Sequence, residues 1–314
     1  MTALAPPQNI QPSRLKLSPL GSLIIAIAAF SFAGVLLRLA QGAGVPSMVI
    51  AASRLLLSAL IVTPLVLTRH RQELARLARR EILLATGAGA LAGIHFIALI
   101  ISLEHTTILL NQVIINSGPI WVALMEYIFL KTRFAGSIYL SLGIALIGGL
   151  LIAISGFSAE SAAHGGNIML GNLLALVASV MGSTYLILGR SVRQKVSLLP
   201  YIWIVYGSGG LVALIVVILN GTPIFGYGLD GYFWILMVAI VPQLIGHSMF
   251  NFALGYMPAT LVALSGQVIS FTAGVLAFFL FNEAPTLLEL IGSLIIVGGV
   301  ILAIRAQSQP RSVK

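Results

Sequence analysis

The chain has no cysteine and very little charge. Of its 314 residues only 8% are Asp, Glu, Lys or Arg, while 59% are hydrophobic; a soluble domain carries about 25% charged residues. Without cysteine there is no disulfide, no thiolate metal site and no cysteine nucleophile. With so few charges there is nothing to coat a water-facing surface, which excludes an ordinary soluble fold. No aspartate lies within an apolar run, and Glu126 sits near the end of its own. The mid-depth carboxylate that a cation-coupled pump often uses is therefore absent. Also absent are HExxH, paired intramembrane aspartates and a glycine-flanked serine opposite a base, so nucleophilic and metal chemistry lack parts. The expectation is a protein that is no enzyme and holds neither metal nor other cofactor.

What the chain does have is hydrocarbon. Apolar runs of roughly twenty residues recur, each long enough at about 1.5 Å per residue to cross a bilayer core of about 30 Å. Proline, glycine and charge punctuate them into spans near 19–40, 46–68, 81–103, 107–130, 135–155, 167–190, 199–219, 231–256, 258–281 and 286–305. The expected fold class is an all-α integral membrane protein of ten transmembrane helices. Fifteen of the seventeen Lys and Arg residues fall on one side of that arrangement, in segments such as RHRQELARLARR at 69–80. By the positive-inside rule both termini lie in the cytoplasm and the chain is a multi-pass protein of the cytoplasmic (inner) membrane. The net charge of +9 then reads as orientation rather than nucleic-acid binding. The polar first eighteen residues run into a full-length span with no small-residue cleavage site, so a removed signal peptide is not expected.

Ten spans are twice five, and the halves can be overlaid. At a shift of 152, Ser31 falls on Ser183, Arg38 on Arg190 and His95 on His247; at 150 the pairs Gly148-Gly149 and Gly298-Gly299 coincide, in LIGGLLIAI and IVGGVILAI. Residues 1–18 and 306–314 read as cytoplasmic tails, 19–155 as a first five-helix repeat and 156–305 as a second. Five is odd, so the second copy enters from the opposite side, an inverted repeat with its axis in the membrane plane. His95 and His247 each lie about 15 Å from a boundary of their spans, at matching depth. Each is either a buried ring satisfied by one backbone or hydroxyl partner, or part of a shared cavity, because intramembrane ionisable groups usually face water or partners.

Other polar residues keep to helical faces. In span 4 these are Gln112, Asn116 and Pro119, continuing to Glu126 or Tyr127; their mates in span 9 are Gln267 and Ser270. Span 8 carries Gln243, His247 and Asn251 every four residues, and span 6 carries Asn172, Ser179 and Ser183. Lipid cannot satisfy such groups. The stripes serve either interhelical hydrogen bonding or a water-accessible pathway, and with Ser31 these residues form the candidate cavity set. Pro119 and Pro242 free carbonyls that either coordinate a permeant or mark structural kinks. Arg54 lies about 12 Å from the outer end of its span. The distance favours a side chain snorkelling to the interface, with carboxylate binding at the outer mouth as the sharper alternative. Proton coupling, if there is any, falls to the two histidines.

The first half carries AFSFAGVLLRLA at 29–40, SRLLLSAL at 53–60, the proline of NSGPIWVAL at 116–124 and a closing LGIALIGGLLIAI; the second ends in FNEAPTLLELIGSLIIVGGVILA, with Glu283 opening its last hairpin. These stretches resemble the EamA unit of the drug/metabolite transporter superfamily across nearly the whole chain. Thr132, Ser270 and Phe30-Ser31 depart from the family pattern without disturbing the fold. The resemblance implies a basket in which spans 1, 3, 4, 6, 8 and 9 surround a central cavity while spans 5 and 10 pack outside. It also implies a secondary transporter of small polar or zwitterionic metabolites, nearest to the amino-acid exporters of that family, working by alternating access. A passive channel, or a carrier for quaternary amines, nucleosides or drugs, stays open. The expected partners are a small-molecule substrate and the lipid bilayer, with no nucleic acid, and a monomer is the expected state.

Overall fold

A computed structural model describes residues 17–103, 105, 111, 114–155, 167–281 and 286–308. Within them the chain is helical throughout, with no strand. Its helices are α1 (Pro19–Ser31), α2 (Ala33–Gly42), α3 (Ser47–Arg69), α4 (Arg71–Arg76), α5 (Arg79–Leu103), α6 (Gly118–Leu130) and α7 (Gly136–Ser155) in the first half. The second half holds α8 (Ile168–Arg193), α9 (Leu198–Leu219), α10 (Leu229–Val238), a π-helix (Ala239–His247), α11 (Ser248–Leu254), α12 (Ala259–Gly266), α13 (Val268–Phe281) and α14 (Leu287–Ser308). Among the described residues eight helical runs are long and apolar enough to cross a membrane, and two shorter apolar ones cover Ile114–Leu130 and Gly136–Ile152. Gln112, Glu283, the loop 156–166 and most of both expected tails lie outside the described residues.

Local chemistry sets the helix ends. Ser18 caps α1, accepting from the Gly21 amide at 2.9 Å with Pro19 in the first turn, and Asn167 caps α8 through Leu170 N–H at 3.1 Å. Both satisfy amide donors that a helix start leaves over. Hydrophobic attraction cannot bring helices together in lipid, so close backbone approach and polar contacts must do so. The outer pair α7 and α14 crosses at Gly148 and Gly292, where a Cβ on Gly148 would stand 2.5 Å from the Gly292 carbonyl oxygen. Only glycine allows that crossing.

Four spans are irregular near mid-depth. The first is interrupted at Phe32, the fourth at Ser117 and the ninth at Gln267, and the eighth winds into the π-helix around Pro242. Proline supplies no N–H and crowds the preceding turn, which accounts for the eighth and, through Pro119, for the fourth. Irregular backbone at membrane depth is tolerated where it is buried in protein or lines a cavity. The interruptions in spans 4, 8 and 9 all border one.

Candidate functional site

Hydroxyls from neighbouring helices reach backbone carbonyls on the two proline-kinked spans. Pro119 cannot donate to the Ile115 carbonyl, and the Ser179 hydroxyl stands 3.5 Å from it; Ser183 donates to the Gly118 carbonyl at 3.1 Å. On the π-helix, Ser58 donates to the Ala239 carbonyl at 2.8 Å, while Tyr206 approaches the Gln243 carbonyl at 3.4 Å and Ser248 at 3.0 Å. Each kinked span is thus tied to its neighbours by hydroxyl contacts at the irregular stretch.

Between the kinked spans lies a cavity of about 310 Å³, at the small end of the range of roughly 300–1,000 Å³ typical of small-molecule sites. Both histidines line it. So do Asn116 and Pro119 from span 4, Ser179 and Ser183 from α8, Gln243 from the π-helix, and Gln267 at the break in span 9. Much of the remaining wall is aromatic or aliphatic, including Phe30, Phe96, Tyr185, Tyr206 and Phe250. The six spans named by the family resemblance all contribute, and two more join them: Leu55 from α3, and Val205 with Tyr206 from α9. Among the described residues, none of α7 or α14 lines the wall.

The matched histidines are held differently. His95 Nδ1 lies 2.7 Å from the Ala178 carbonyl; a carbonyl only accepts, so Nδ1 carries a proton. The ring rests on Gly182, where a Cβ would stand 2.8 Å from Nδ1. His247 makes no side-chain hydrogen bond among the described residues. It stands edge-on to Phe30 with centroids 4.6 Å apart and to Phe96 at 5.5 Å. Neither of its ring nitrogens is sealed from open space.

Several expected residues fall elsewhere. Ser31 stands behind the wall, donating to the Ile27 carbonyl at 2.7 Å with its hydroxyl 2.6 Å from that of Thr272. Asn251 is fully buried, accepting from Tyr185 at 2.8 Å and donating to the His247 carbonyl at 2.8 Å. Ser270 belongs to α13, but its side chain lies outside the described residues, as does Gln112. Snorkelling is corrected for Arg54. Its Nε donates to Gln243 at 2.8 Å and its guanidinium lies 4.6 Å over the Phe96 ring. A carbonyl and a π-face within reach at mid-span offer more than extension to a distant interface. Pattern reading missed the aromatic wall, because a buried Phe or Tyr on an apolar helix gives no periodic signal of its own.

On the face where α3 and α8 end, the halves are joined by polar contacts. Glu126, 1% exposed, accepts from Ala259 N–H at 3.1 Å and from the amide and hydroxyl of Thr260 at 2.9 and 2.8 Å. A carboxylate belongs at a helix N-terminus, where free N–H groups and the dipole favour it. Glu73 receives the Ser197 amide at 2.8 Å and its hydroxyl, and sits 3.0 Å from His70. Burial alone would push its carboxyl up; the Ser197 donors and His70 outweigh that and hold it below its ordinary value.

The profile of the EamA-like transporter family matches this chain twice, over residues 19–154 and 169–305. The chain belongs to that family, and so to the EamA-type transporters of the drug/metabolite transporter superfamily, a class of transport proteins rather than enzymes. It is 25% identical over 189 residues to an uncharacterized transporter, YdfC, of Bacillus subtilis, covering 60% of each chain. It is 22% identical over 207 residues to an uncharacterized transporter of Archaeoglobus fulgidus, covering 66% of this chain and 70% of that one. The match thus spans less than two thirds of the first relative's length. A protein crystal structure superposes with a TM-score of 0.75 over 91% of this chain and 98% of its own, at 17% identity, a likeness of fold alone.

Proposed function

We propose that this protein is a secondary transporter that moves small polar or zwitterionic metabolites, amino acids foremost, out of the cell by alternating access through the central cavity. The observation that carries the reading is the cavity itself: it lies where the halves meet, holds the matched histidines, and is bordered by irregular stretches of three spans. In this reading ten helices form two five-helix units threaded in opposite senses, with both termini cytoplasmic, in the cytoplasmic membrane. The units, 19–155 and 156–305, rock about the cavity, with the Glu126 and Glu73 contacts serving as the gate on its cytoplasmic side. The lining favours a small solute with an apolar body and a polar head, because amides, hydroxyls and two imidazoles share the wall with Phe, Leu and Val.

The test is uptake of labelled leucine into proteoliposomes, with and without unlabelled leucine trapped inside. A carrier gives saturable uptake that trapped leucine accelerates. Uptake linear in concentration and indifferent to trapped solute would make the protein a channel, and no uptake of any amino acid in a panel would remove the substrate class. Terminal tags out of reach of an impermeant reagent in intact cells are the expected result for orientation; labelled tags would reverse it.

A further inference from the structure

We propose that Arg54 is the counter-ion for an anionic head group on the permeant, so that the transported solute is a small carboxylate with an apolar body. The proposal rests on the central cavity being the solute site and adds to that reading the charge the solute must bring.

Two other arginines set within the helices each commit an Nη group to a backbone carbonyl. Arg193 is buried and gives Nε to the Asn251 carbonyl at 2.9 Å and Nη1 to the Val196 carbonyl. Arg190 gives Nη1 to the Leu254 carbonyl at 2.7 Å. Arg54 is different. A guanidinium carries five N–H donors, and only Nε is used, on Gln243. The Nη groups have no hydrogen-bond acceptor among the described residues, and neither Nη is walled off from open space. No carboxylate lies within ion-pair distance of Arg54 among the described residues. The acid deepest in the helices, Glu126, is spent on Ala259 and Thr260.

An uncompensated charge inside a membrane protein is costly, and such groups mark substrate or ion pathways. Arg54 is not itself one of the residues that line the cavity, but the two groups that hold it are. Gln243 fixes Nε from one side and the Phe96 ring supports the guanidinium plane. His247, edge-on to the same Phe96 ring, adds an unused imidazole nearby. A carboxylate entering at this rim would meet a fork of donors matched to it in shape, while its apolar body would lie among Phe30, Phe250 and Val122.

The absence of cysteine makes the test direct, because any introduced thiol is unique. His247→Cys, beside Phe96, is reacted in nanodiscs with two methanethiosulfonates of similar size, the anionic sulfonatoethyl and the cationic trimethylammonioethyl reagents. With Arg54 present the anionic reagent is expected to react roughly tenfold faster relative to the cationic one than in the Arg54→Gln background, since a unit charge acts strongly across a few ångströms of low-dielectric medium. Arg54→Lys, which keeps the charge and loses the fork, is expected to retain most of the ratio. A ratio indifferent to position 54 overturns the proposal while leaving the cavity reading intact. Failure of both reagents to react overturns the two together. In the Arg54 background, protection of the thiol by leucine and by 4-methylpentanoate, but not by leucinamide, supports a carboxylate as the recognised group; equal protection by leucinamide contradicts it.

Discussion

His95 and His247 occupy matching places in the two halves and meet different surroundings. His95 is anchored: its proton is committed to the Ala178 carbonyl and its ring is seated on Gly182. His247 is supported only by the edges and faces of Phe30 and Phe96, with both nitrogens unspent. The difference teaches that a repeated residue can divide its labour. One copy ties span 3 to α8 and builds the wall, while the other keeps hydrogen-bonding capacity for whatever occupies the cavity.

The largest break in this comparison is expected from Gly182→Val. Its side chain would claim the space of the imidazole, with overpacking of this kind costing about 1–3 kcal/mol and driving His95 into the cavity. Thermal unfolding in detergent should show a clear loss of Tm, and leucine uptake should disappear; an unchanged Tm would mean the ring is not seated there. His95→Ala comes next, removing the hydrogen bond and the packing at a cost of about 1–3 kcal/mol, again read as Tm. His247→Ala should lower Tm far less, since no hydrogen bond is lost. Equal losses for the two substitutions would erase the division between anchored and free.

The smallest effect lies away from both rings. The Glu73 carboxyl is held below its ordinary value of 4.5, and a group with a depressed folded-state pKa contributes stability above its unfolded pKa and loses it as the pH falls through the folded one. The Tm of the wild type should therefore exceed that of Glu73→Gln at neutral pH by a small margin that closes below the carboxylate range. A margin that widens on acidification would show the sign to be wrong.

Much of the architecture was legible because lipid leaves the sequence few options. A span has to be apolar and about twenty residues long, so bounds read from punctuation, such as 46–68 and 199–219, fall within one or two residues of α3 and α9. The pairing of His95 with His247 was legible for a similar reason, since a polar residue inside a span stands out. Arg54 was misjudged because distance along its own helix says nothing about Gln243, 189 positions later. Asn251 and Ser31 looked like wall residues because helical spacing identifies a polar face without saying whether water or another helix covers it. The contributions of α3 and α9 to the wall were invisible for the opposite reason, as Leu55 and Val205 read as ordinary core.

The central claim is that solute passes through the cavity in contact with the free imidazole. Its most direct test is leucine counterflow in proteoliposomes by His247→Ala, measured beside its Tm. The account predicts a weakened or abolished saturable exchange in a protein of nearly wild-type stability. Exchange with wild-type affinity and rate would contradict it.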